Sequence, residues 1–194
     1  MCFPFIISGQ NKFNKHFDSK NISVLELNLP WISSINITNS KSEFIEVGYT
    51  TRGEYKNFTF LSSKLKGDSL FVEEKLVSNS TNFNDKLSVH KNHSTSLNIS
   101  LPEKLILQLY VENASTNIYG KVYSIIISQP RGEIYLSEWN SPGLIKTISA
   151  DIIFNNPNIK ILSNSKNKLN CGESDSHDFL EIKSVSGKIN CITF

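Results

Sequence analysis

The stretch "GEIYLSEWNSPGLIKTISADIIF" (residues 132–154) contains one short phrase twice, as Gly132-Glu133-Ile134-Tyr135-Leu136 and as Ala150-Asp151-Ile152-Ile153-Phe154. Each copy opens with a small residue, passes through a variable one and runs into an apolar burst. The phrase returns as "NKLNC" at 167–171 and "GKINC" at 187–191, so the four copies start 18, 17 and 20 residues apart, and "GKVYS" at 120–124 precedes them. Short strands separated by corners at this period predict a coiled parallel β-solenoid of 17–20 residues per repeat, in which each coil buries its inward face only against its neighbours. Gly or Asn at a corner supplies the positive φ that a sharp turn needs. The competing arrangement is an antiparallel β-sandwich, where "SVSGKI" (184–189) would form a two-residue hairpin turn.

Outward from this stretch the chain keeps to a period of two. In "KLILQLYVE" (104–112), Leu105, Leu107, Leu109 and Val111 share one face, opposite Ile106, Gln108 and Tyr110; "SVLELNL" (23–29) repeats the pattern. No window sustains apolar residues at helical spacing, and β-branched and aromatic runs are punctuated by Asn, Ser, Gly and Pro, so the fold class is all-β. Residues 21–100 carry longer strands ("EFIEVGYTT", "YKNFTFLSSKL", "DSLFVEEKLV") and predict an N-terminal β-layer. The short regular bursts of 101–194 predict the solenoid part of the same single domain, 21–194.

Composition bounds the function. A chain of 194 residues with 39% hydrophobic and 20% charged residues and a mean hydropathy of −0.22 is neither disordered nor membrane-spanning by composition. The net charge is +2, Arg occurs only at 52 and 131, and Lys alternates with Glu and Asp, which argues against a nucleic-acid partner. Asn and Ser are so frequent that the N-x-S/T triplets at Asn21, Asn36, Asn57, Asn79, Asn92, Asn98 and Asn113 are not read as glycosylation sites. The opening "MCFPFIISGQNKFNK" has the apolar and small-residue half of a secretory signal without its basic start. Residues 1–20 are read as a signal-peptide remnant plus a polar leader, the alternative being a short apolar strand packed on the body.

The run from Leu101-Pro102 to Val111, followed by Thr147-Ile148-Ser149-Ala150-Asp151-Ile152 and Ser184-Val185-Ser186-Gly187-Lys188-Ile189, resembles the adhesin-type β-solenoid family of exported bacterial proteins, the auto-transporter-adhesin heads, in its Bacteroidetes-type members. The resemblance covers about residues 22–194 and rests on strand alternation. It implies a non-enzymatic exported module, periplasmic or on the outer cell surface, that meets an envelope or extracellular protein or glycan. It implies no catalytic residue, cofactor or metal. Ala150 stands where that family usually has Gly, which implies a looser or differently turned corner.

If "NKLNC" and "GKINC" are equivalent positions of successive coils, Cys171 and Cys191 stack with Cα atoms about 4.8 Å apart. That distance accepts a disulfide, which export would permit and which would stabilise the end of the coil by about 3 kcal/mol; a stacked pair of free thiols remains the alternative. Cys2 falls in the leader. Tyr119, Tyr123, Tyr135 and Trp139 are the candidate binding-face aromatics, able to stack on a sugar or a protein partner if they point outward, or to pack between coils if they do not. His90 and His93 read as loop residues. Glu173, Asp175 and Asp178 lack the alternating ligand pattern of a Ca²⁺ loop. Glu133 and Asp151 sit at corresponding points of neighbouring phrases, as an outward ladder or, in the alternative of a β-helical enzyme acting on polysaccharide, as an acid–base pair.

Overall fold

The computed structural model describes residues 10–53, 57–77, 93–165, 167–169, 171 and 176–192. The period-two alternation becomes seventeen strands, with no helix among the described residues. One sheet, A, takes β1 (Gln10–Asp18), β3 (Ser34–Asn39), β4 (Phe44–Gly53), β7 (His93–Leu101), β9 (Asn113–Tyr119), β11 (Arg131–Ser137), β13 (Asp151–Asn155), β15 (Lys168–Leu169) and β17 (Ile189–Ile192). The other, B, takes β2 (Val24–Leu29), β5 (Thr59–Lys66), β6 (Ser69–Leu76), β8 (Ile106–Val111), β10 (Ser124–Ser128), β12 (Gly143–Thr147), β14 (Lys160–Ser163) and β16 (Phe179–Ser184). The spatial orders are β1-β4-β7-β3-β9-β11-β13-β17-β15 and β14-β16-β12-β10-β8-β2-β6-β5.

From β8 onward each strand lies in the opposite sheet from its predecessor, and pairing within each sheet is parallel. In-register parallel pairing stacks like on like. Leu70, Leu25, Leu107 and Ile125 form one inward row of sheet B, and Val72, Leu27, Leu109, Ile127, Ile145 and Ile182 form the next. Sheet A answers with Val47, Ile99, Ile37, Ile118, Leu136, Phe154 and Cys191. These side chains are buried in one continuous cluster between the sheets. At roughly 1.5–3 kcal/mol for each large side chain removed from water, this shared core is the main stabilising term.

The corners are close-packed. Gly132 (φ 96°) pairs with Ala114, and a Cβ there would run into the Ala114 carbonyl; Gly187 abuts the Ala150 carbonyl in the same way. Ala150 is itself fully buried, its N–H donating to Pro130 O at 3.2 Å, so the looser corner expected there is not formed. Between β10 and β11 the buried Gln129 accepts from Thr116 Oγ1 at 2.7 Å and donates to the Ala114, Arg131 and Glu133 carbonyls. That set satisfies polar atoms the corner would otherwise leave stranded.

Three expectations are corrected. The whole is two facing mixed sheets, closer to the sandwich alternative than to a solenoid behind a separate layer, although most pairing is parallel rather than antiparallel. The longer N-terminal strands form no layer of their own: β2 lies between β8 and β6, and β3 between β7 and β9, because their apolar rows continue those of the short strands. The hairpin that the antiparallel-sandwich alternative would place at "SVSGKI" is not formed, since β16 and β17 belong to different sheets. The repeated pentapeptides are also one residue out of step, Leu169 pairing with Asn190 rather than Ile189. Residues 1–9, His90, Glu173 and Asp175, and the side chain of His93, lie outside the described residues.

Candidate functional site: the outer face of sheet A

Alternation that buries Ile and Leu on one side of sheet A lays a second set of rows on the other. The central row runs Asn14, Gly48, Asn98, Asn36, Asn117, Tyr135, one residue from each of β1, β4, β7, β3, β9 and β11. Beside it run Ser100, Thr38, Tyr119 and Ser137, and on the other flank Ser96, Ser34 and Ser115. Amides in register on parallel strands chain together. Asn117 Nδ2 donates to Asn36 Oδ1 at 3.1 Å, and Asn36 Nδ2 donates to Asn98 Oδ1 at 3.1 Å.

The missing side chain of Gly48 interrupts this ladder and leaves a depression of about 380 Å³, walled by Asn14, Asn98, Asn36, Ser100 and Thr38. A Cβ at Gly48 would stand 3.3 Å from Asn14 Oδ1. Lys15, His16 and Glu46 also line it: the exposed His16 Nδ1 lies 3.7 Å from Glu46 Oε1, and Lys15 Nζ donates to Ser63 Oγ at 2.9 Å. The result is an open surface of amides and hydroxyls with two tyrosines at one end and Lys15, His16 and Glu46 beside the depression.

Tyr119 and Tyr135 meet on this face with ring centroids 5.8 Å apart, Tyr119 being 44% exposed. Tyr123 is 68% exposed but stands at the corner between β9 and β10, away from those rows. Trp139 does not join them. It is fully buried, and its Nε1 donates to Ser141 O at 2.8 Å. Counted by alternation from Ile134 and Leu136 it should point outward, but the positive φ of Glu138 (52°) reverses the phase and turns the indole inward.

Cys171 and Cys191 are joined as a disulfide with Cα atoms 4.9 Å apart, tying the chain beyond β15 to β17. Glu133 and Asp151 are register partners on β11 and β13, both exposed, and Asp151 Oδ1 accepts the Lys188 N–H at 2.9 Å. They border a corner groove of about 460 Å³ with Ser115 and Gly132. Asp178 is exposed, and among the described residues no group of three or more His, Cys, Asp or Glu could hold a metal ion. No helix among the described residues is long and apolar enough to cross a membrane.

The asparagine ladder was not foreseen, although a signal for it exists. Asn36-Ile37-Thr38, Asn98-Ile99-Ser100 and Asn117-Ile118-Tyr119 are three copies of one phrase, Asn–Ile–hydroxyl, on three adjacent strands. The first two, read as N-x-S/T triplets, look like chance; read at period two, all three bury their Ile and present an amide and a hydroxyl on one face.

No family model matches the chain, and no curated protein matches it. Solved structures do. A "putative cell adhesion protein" from Clostridium sporogenes superposes with a TM-score of 0.65 at 15% identity, covering 96% of this chain and 100% of that one. A "putative adhesin" from Bacteroides fragilis gives a TM-score of 0.37 at 9% identity, over 94% of this chain and 97% of its own. At such identity the Clostridium structure establishes a shared fold alone, along essentially the whole length of both chains.

Proposed function

We propose that the protein is a non-enzymatic, exported module of adhesin type whose binding surface is the outer face of sheet A, meeting an envelope or extracellular protein or glycan. The observation that carries this is the face itself: rows of Asn, Ser and Thr on one sheet, with exposed Tyr119 and half-buried Tyr135 among them. Aromatic anchors within a field of neutral hydrogen-bonding groups are the composition of binding surfaces rather than of acid–base centres. The fold shared with the Clostridium structure, described as a "putative cell adhesion protein", supports the same reading, and the Cys171–Cys191 disulfide fits an oxidising compartment outside the cytoplasm.

Purified protein is applied to arrays of glycans and extracellular-matrix proteins. The Tyr119→Ala/Tyr135→Ala variant is expected to lose at least tenfold in affinity, while Lys146→Ala/Lys183→Ala on the outer face of sheet B binds as wild type. Equal binding by both variants would place the surface elsewhere. Depolymerisation of an array glycan, abolished by Glu133→Gln/Asp151→Asn, would overturn the non-enzymatic reading in favour of a polysaccharide-acting enzyme.

A further inference from the structure

We infer that the depression over Gly48, together with the asparagine ladder leading from it to Tyr119 and Tyr135, is a subsite for a neutral, extended, β-linked glycan lying across the strands. This rests on the reading that the outer face of sheet A is the binding surface, and it names the ligand class.

A carboxamide offers a donor and an acceptor side by side, which is what neighbouring sugar hydroxyls require. The ladder is polarised, each Nδ2 donating to the next Oδ1 from Asn117 to Asn36 to Asn98, and Asn98 and Asn14 both line the depression over Gly48. Thr38 and Ser100 add hydroxyls that both give and accept. No Lys or Arg stands in the central row between Asn14 and Tyr135, Lys15 beside the depression is engaged by Ser63, and the Glu46 carboxylate there repels an anion. A neutral ligand exchanges hydrogen bonds with water for hydrogen bonds with amides and uncovers no unpaired ion.

Geometry selects an extended chain. Adjacent strands are roughly 4.8 Å apart, close to the advance of one pyranose along an extended β-linked glycan, so each unit meets an equivalent amide on the next strand. The depression, about 380 Å³, takes one ring, and the tyrosine pair, Tyr119 exposed and Tyr135 half-buried, receives the apolar face of another at the far end.

The test follows ¹H–¹⁵N spectra, with Asn side-chain amides resolved, during titration with cello- and chito-oligosaccharides of one to six units and with alginate as a charged control. Affinity should rise with length and level off at about four units, the number of strand spacings of roughly 4.8 Å from β4 to β11. Shifts should be confined to the central row and its flanks. Gly48→Val, which fills the depression, and Asn98→Ala, an exposed change that leaves the core intact, should each weaken binding at least tenfold with an unchanged backbone spectrum elsewhere. Silence toward both oligosaccharide series, preference for alginate, or wild-type affinity in both variants would overturn the inference. If the oligosaccharides fail while Tyr119→Ala/Tyr135→Ala still abolishes binding to an array protein, only the glycan assignment falls and the binding face stands.

Discussion

Glu74 occupies an inward position of β6, in phase with Leu70 and Val72, where alternation calls for an apolar side chain. It is 4% exposed and accepts from Tyr49 Oη at 2.6 Å and from the Trp31 N–H at 2.8 Å, while Tyr49 Oη also meets Thr59 Oγ1 at 2.6 Å. Burial pushes the Glu74 carboxyl above its ordinary range, with the hydrogen bonds from Tyr49, Trp31, Thr59 and Ile32 pulling the other way. Burial, then the bond to Glu74, pushes the Tyr49 phenol up as well. An acid whose folded pKa is raised binds its proton more tightly when folded, so its contribution is complete below the ordinary carboxylate range and is lost as pH rises through the raised value. Urea unfolding followed from about pH 4 upward should therefore show wild-type stability falling by up to about 1.4 kcal/mol per pH unit from this group. Glu74→Gln, whatever it costs in hydrogen bonds, should lack that slope. Parallel profiles for the two proteins would show that Glu74 titrates alike in the folded and unfolded chain.

At the scale of elements, the strands were legible because a half-buried strand writes its burial directly into a period of two. β2, β6 and β8 alternate as the sequence reads, down to the inward position of Glu74. The order of strands was not legible. β14 and β15 precede β16 and β17 in the chain yet lie outside them in both sheets, since β16 and β17 intervene between them and the β12–β13 pair. Parallel pairing between distant segments is set by which apolar rows match, and no local signal encodes that. Among the described residues the outermost pair thus has a neighbour on one side only, and β15 is two residues long. The disulfide compensates by fastening this end across a 20-residue separation. Reduction, or Cys191→Ser, is expected to lower stability by about 3 kcal/mol or less. It should make the segment from Asn158 to Asp178 the first site of proteolytic cleavage. An unchanged cleavage pattern and a full count of free thiols in protein exported to an oxidising compartment would remove the disulfide from the account.

For the whole molecule, in-register stacking that joins apolar rows inside also joins polar rows outside, and the candidate site is a product of that topology. Asn36, Asn98 and Asn117 are far apart in the chain and come together only because β3 lies between β7 and β9. The aromatic residues singled out by composition divide accordingly. Tyr119 and Tyr135 share the face, Tyr123 lies at a corner, and Trp139 enters the core through the reversed phase at Glu138. Sheet B offers a contrasting exterior in which half-buried Phe71, Ile126 and Leu144 are interleaved with Glu26, Gln108 and Glu181. The measurement that bears most directly on the assembled face is site-directed disulfide closure in a Cys2→Ser background with the Cys171–Cys191 bond intact. Asn36→Cys/Asn117→Cys, 81 residues apart in the chain but hydrogen-bonded neighbours on the sheet, should close an intramolecular disulfide under mild oxidation, while Asn36→Cys/Asn190→Cys, in the same row but four strands apart, should not. Closure of the second pair, or failure of the first while the protein stays folded, would contradict the row from which the binding face is built.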